Sequence, residues 1–117
     1  MNIQKLTQKS IEAIQNAQSI AIENQNAQIE QEHLLLALLE QDNSLIRELL
    51  KKMGVSENFE DAIRNIISRK PRMSGGTRPN DSIYVSQDVD LVLNNAEKIA
   101  LKMKDEYVSV EHIMLSL

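Results

Sequence analysis

Residues 29–39 read Ile29-Glu30-Gln31-Glu32-His33-Leu34-Leu35-Leu36-Ala37-Leu38-Leu39, and residues 108–117 answer with Val108-Ser109-Val110-Glu111-His112-Ile113-Met114-Leu115-Ser116-Leu117. These stretches belong to a longer correspondence. Residues 7–38 align without a gap with residues 86–117, and nine positions are identical, including Asn16/Asn95, Ala17/Ala96, Ile20/Ile99, Ala21/Ala100, Glu32/Glu111 and His33/His112. Both histidines of the protein hold the same place, directly after a glutamate. Self-similarity of this kind points to two packed copies of one helical unit.

Working outward, Thr7 is a good N-cap for a first helix running to about Asn24. Its inner stripe is Ser10, Ala13, Ile14, Ala17 and Ala21; in the second copy Ser86 caps, and Val89, Val92, Leu93, Ala96, Ile99, Ala100 and Met103 follow the same spacing. Alanines four apart in both copies leave a shallow groove for a second helix. Each long helix passes through a polar connector (Glu23 to Gln28, Lys102 to Tyr107) to an apolar anchor, Ile29 or Val108. A second helix then begins near Glu30 or Ser109. Apolar nearly all round over Leu34 to Leu39, it should lie at the centre.

A third helix is expected from about Ser44 to Met53, stopped by Gly54. Ser56 should cap a fourth, with Phe59, Ala62, Ile63, Ile66 and Ile67 inward and Pro71 ending it. Residues 70–82 hold both prolines and two of the three glycines and read as an exposed, mobile linker; Arg69, Lys70, Arg72 and Arg78 around it read as solvated charges. The expected organisation is all-α: repeat one at 1–69, a linker at 70–85, and a partial repeat two at 86–117. The second repeat lacks counterparts of 39–69, as a truncated four-helix unit would.

Composition narrows the function. The 117 residues are 42% hydrophobic and 3% aromatic, which favours packed helices. No cysteine is present, so thiol catalysis and disulfides are excluded. No phosphate-loop glycine motif, no His-Glu-x-x-His and no serine nucleophile with a matching base can be found, so no catalytic residue, metal site or cofactor is expected. The first residues carry no signal-peptide pattern, and no apolar run approaches the ~18 residues of a membrane span. A cytoplasmic protein is expected. A net charge of −4 argues against nucleic acid. The repeated glutamate suits the first turn of a helix, where the macrodipole favours it, and the histidine should bond back to the connector.

Two copies of a helix, a connector and a Glu-His-Leu-Leu-Leu-Ala-Leu-Leu type segment resemble the Clp repeat domain, the amino-terminal domain of the Clp ATPases. The likeness covers essentially the whole chain. Leu6-Thr7, Val85-Ser86-Gln87-Asp88 and the long Pro/Gly linker look most like the ClpB disaggregase branch, whereas Glu-His in both copies is the form favoured by ClpC. The resemblance implies two pseudo-repeated four-helix units tethered to a homohexameric AAA+ ATPase, with ATP bound elsewhere in the parent. Such domains capture unfolded or aggregated polypeptides or adaptors, and the parents work with the DnaK system (ClpB) or a protease (ClpC). On the ClpB pattern, Thr7, Asp105 and Glu111 would contact substrate beside an apolar groove to which Ile99 corresponds. On the ClpC pattern, Thr7 with Glu32 and Ser86 with Glu111 would bind phosphorylated arginine. A free-standing Clp-repeat protein is the remaining alternative.

Overall fold

The computed structural model describes residues 3–41, 45–56, 58–72 and 84–117. Its elements are a 3-10 turn (Ile3–Lys5), then α1 (Gln8–Glu23), α2 (Gln31–Glu40), α3 (Leu45–Lys52), α4 (Phe59–Ser68), α5 (Gln87–Lys102) and α6 (Val110–Ser116). The expected all-α architecture is what forms.

The two long helices begin, and they and α3 end, where local chemistry says they should. Thr7 Oγ1 accepts from the Ser10 amide at 3.2 Å, and Ser86 Oγ accepts from the Val89 amide at 3.2 Å, each satisfying a first-turn donor. Both long helices stop in the same left-handed turn. Gln25 (φ 55°) and Lys104 (φ 59°) take the positive-φ position, and the next amides reach back, Asn26 N–H to Ala21 C=O and Asp105 N–H to Ala100 C=O, both at 2.9 Å. Gly54 (φ 80°) closes α3 the same way, with Val55 N–H on Leu50 C=O at 3.0 Å.

Within each copy the long helix packs on the short one, α1 on α2 and α5 on α6, while α1–α6 and α2–α5 contacts join the copies. Ala13, Ala17, Ala21, Ala96 and Ala100 are buried in these contacts, as expected of a small-residue groove. α2 is central: His33, Leu34, Leu36, Ala37, Leu38 and Leu39 are all buried, each leucine contributing roughly 1.5–3 kcal/mol.

The two copies exchange their anchors. Leu6 bridges to Val108 and Val85 bridges to Ile29, both in parallel, so each copy's helix start is tied to the other copy's connector. Four backbone bonds repeat with the symmetry: Thr7 N–H to Val108 C=O (3.0 Å) and Val108 N–H to Lys5 C=O (2.7 Å), matched by Ser86 N–H to Ile29 C=O (2.8 Å) and Ile29 N–H to Tyr84 C=O (2.9 Å).

Several expectations need correction. Met103 is exposed because it is the C-cap of α5 and has turned out of the stripe, and Ile14 and Ile99 are only half-buried. Ala62 and Ile66 face water: α4 packs chiefly on α2, which takes only the Ile63 and Ile67 row with Phe59 at its edge. Asn58, not Ser56, holds the N-cap position of α4; Ser56 Oγ instead accepts from the Asn58 amide one step earlier. Ser44 and most of the expected linker, Arg78 included, lie outside the described residues.

Candidate functional site

The anchor exchange decides which side chains meet. Thr7 is hydrogen-bonded through its backbone to Val108, placing its hydroxyl beside the connector that carries Asp105 and leads into the helix bearing Glu111. Ser86 is bonded to Ile29 and shares a surface hollow with Gln28, Glu30, Gln87 and Asp88, beside the helix bearing Glu32. The crossed anchors therefore set Thr7 beside the connector that leads into the Glu111 helix, and Ser86 beside the one that leads into the Glu32 helix. Ile99 belongs to neither grouping; it lies near the end of α5, half-buried.

Both hydroxyls are already engaged. Thr7 Oγ1 donates to Ser10 Oγ at 3.0 Å, and Ser10 Oγ donates to Val108 C=O at 2.9 Å, which locks the cap to the other copy's anchor. Ser86 is buried.

The histidines shape the connectors. His33 Nδ1 accepts from the Glu30 amide at 2.8 Å, and His112 Nδ1 accepts from the Ser109 amide at 2.9 Å. With Nδ1 occupied as acceptor, the proton of the neutral ring sits on Nε2. His33 Nε2–H then donates to Asn26 Oδ1 at 2.8 Å, and His112 Nε2–H donates to Asp105 Oδ2 at 2.9 Å. Each ring clips the start of its helix to the end of the preceding connector. Burial first, and then the nearby Lys70 ammonium, lower the His33 pKa from its ordinary 6.5 against the pull of Glu30 and Glu32. Asp105, the partner of His112, keeps 48% of its side chain exposed and retains acceptor capacity toward solvent.

Lys70 is not the solvated charge its sequence context suggested. Its Nζ lies 2.9 Å from Glu30 Oε2 and 3.2 Å from Glu32 Oε1, with only 16% of the side chain exposed. The end of α4 carries it there, and Pro71 C=O, next along the chain, accepts from Asn26 Nδ2 at 3.3 Å. Sequence reading missed Lys70, Glu30 and Asn26. Asn26 had a signal, since it stands opposite Asp105 in the repeat; Lys70 had none, because its partners are distant in sequence.

Among the described residues no three metal-capable side chains cluster, and no helix is long and apolar enough to cross a membrane. What the edges can do chemically is accept: carboxylates at two helix starts suit cationic groups, and exposed Leu101, Met103 and Tyr107 flank Asp105 with apolar surface.

The described residues thus form a paired helical repeat with exchanged anchors and a glutamate in the first turn of each second helix. The chain belongs to the Clp repeat (R) N-terminal domain family, whose pattern matches residues 5–117. It is 39% identical over 118 residues to the chaperone protein ClpB of Nitratidesulfovibrio vulgaris, covering 100% of this chain and 14% of that protein's length. Among solved structures it resembles the Hsp104 N-terminal domain from Candida albicans (TM-score 0.84, 28% identity, 96% of this chain and 72% of that one). It also resembles a ClpV N-domain in complex with a VipB peptide (TM-score 0.73, 25% identity, 97% and 68%).

Proposed function

We propose that this chain is the substrate-receiving domain of a ClpB-like AAA+ chaperone, holding unfolded or aggregated polypeptide for ATP-driven threading by other parts of a hexameric parent. The observation that carries this reading is the anchor exchange, which sets Thr7 beside the Asp105–Glu111 segment, with Asp105 exposed and Glu111 half-buried. The ClpV N-domain seen with a peptide is consistent with it. ATP would be bound outside this chain, and the DnaK system would be the cooperating partner in the cytoplasm.

Affinity should come from two sources. Apolar anchors on Leu101, Met103 or Tyr107 bind without regard to sequence, and the carboxylates favour basic segments. Association costs leave a single domain binding at about micromolar strength or weaker, and several copies on a ring would restore avidity. The decisive experiment titrates a labelled, permanently unfolded basic polypeptide against wild type, Thr7→Ala, Asp105→Asn, Glu111→Gln and Ile99→Ser. Asp105→Asn keeps an acceptor for His112, so its effect reads charge rather than folding. Weaker, less salt-sensitive binding in Asp105→Asn and Glu111→Gln supports the reading; wild-type binding in all four overturns it. If instead a phosphoarginine peptide binds, and Glu32→Gln and Glu111→Gln each abolish it while Ile99→Ser does not, the ClpC-like reading replaces this one.

A further inference from the structure

The two acidic edges are related by the repeat, yet among the described residues only one carries an ion pair. At copy one, Glu30 is the N-cap of α2 and Glu32 sits in its first turn, and the Lys70 ammonium lies between their carboxylates. At copy two, Ser109 takes the place of Glu30, and among the described residues no ion pair engages Glu111. Lys70 is held by more than its charge. Its amide donates to Ile67 C=O at 3.1 Å, and the adjoining Pro71 C=O accepts from Asn26, whose Oδ1 accepts the hydrogen bond of His33 Nε2–H. Burial opposes its charge, but hydrogen bonds to Glu30 and Glu32 outweigh that and raise its pKa above 10.5, so the ammonium stays charged at neutral pH.

We propose that Lys70 is an internal stand-in for a basic group of the substrate: it closes the Glu30/Glu32 edge, so that only the Glu111 edge is open to an arginine- or lysine-bearing polypeptide. An ammonium seated between two carboxylates cancels the local negative field and fills the acceptor positions that a guanidinium needs. An incoming basic segment must displace Lys70, whereas at Glu111 it displaces only water. Release of the α4 end would open a second edge on the same domain. This inference rests on the peptide-capture reading above.

The test uses a labelled, unstructured, arginine-containing peptide and four variants: Lys70→Met, Lys70→Arg, Glu111→Gln, and Lys70→Met combined with Glu111→Gln. Lys70→Met keeps the apolar stem and removes the charge. It should tighten binding by about threefold, the scale of a partly exposed ion pair, and admit a second peptide per chain. Lys70→Arg, which keeps a cation in the seat, should behave as wild type. Glu111→Gln should lose binding, and the double variant should recover it at the opened edge. If Glu111→Gln loses binding and the double variant does not recover it, the closed-edge proposal falls while peptide capture stands. If Glu111→Gln binds like wild type and Lys70→Met adds nothing, the closed-edge proposal falls, and peptide capture falls with it only where Thr7→Ala, Asp105→Asn and Ile99→Ser also bind like wild type.

Discussion

The two copies share a backbone and differ in chemistry. Copy one closes its connector with a neutral pair, His33 on Asn26, both buried, and covers its acidic edge with Lys70. Copy two closes the same turn with His112 on Asp105, half open to water, and leaves Glu111 without an ion pair among the described residues. Packing differs too. α2 is flanked by α1, α3, α4 and α5, and Leu36 is 3% exposed; α6 meets α5, α1 and α3, and the equivalent Leu115 is 66% exposed. The residues that the copies share build the scaffold, and those that differ set which acidic edge carries an ion pair among the described residues.

The largest effect should separate the two leucines. Leu36→Ala should destabilise by about 2–5 kcal/mol in urea unfolding, because it leaves a cavity in the core. Leu115→Ala should change stability by less than about 0.5 kcal/mol. Equal losses would mean that the copies are packed alike after all.

Exchanging the histidine partners should be nearly as unequal. Asn26→Asp puts a carboxylate where only 2% of the residue is exposed and removes the donor to Pro71 C=O, at a cost of about 1–3 kcal/mol. Asp105→Asn, at a half-exposed site, should stay within about 0.5 kcal/mol of wild type. Thermal unfolding of the two variants side by side reads the difference directly.

Acidification should sharpen the contrast further. His33 has a folded-state pKa below its unfolded value of 6.5, so the unfolded chain takes up the proton first. Its contribution to stability is complete above pH 6.5 and is lost as pH falls from there through the lowered folded value. Protonation also removes Nδ1 as acceptor for the Glu30 amide. The slope of unfolding free energy against pH in this window should shrink in His33→Gln; an unchanged slope would assign it to other groups.

The smallest effect tests the symmetry itself. Gln25→Gly and Lys104→Gly relieve the same left-handed conformation and should each stabilise by roughly 0.5–1 kcal/mol. A gain at one site alone would show that the two turns are not equivalent.

Much of the fold was legible because its causes are local. Thr7 and Ser86 announce helix starts, the alanine rows announce close packing, and Gly54 announces a stop, each through contacts within a few residues. Ala62, Ile66 and Met103 were misread because apolar character marks a residue able to be buried, and only the neighbouring helix decides whether it is. The repeat marks Thr7/Ser86 and Glu32/Glu111 as matched positions in the sequence, but which hydroxyl lies beside which copy's connector was not legible there.

By itself the sequence determined two copies of one helical unit, their caps, their histidine-clipped connectors and the acidic starts of their second helices, all consequences of short-range periodicity and hydrogen bonding. The tertiary structure alone decided that the anchors cross, placing Thr7 with copy two and Ser86 with copy one, and that Lys70 comes to rest between Glu30 and Glu32. Those outcomes depend on which surfaces meet when helices pack, a long-range balance of burial and charge that no local pattern encodes.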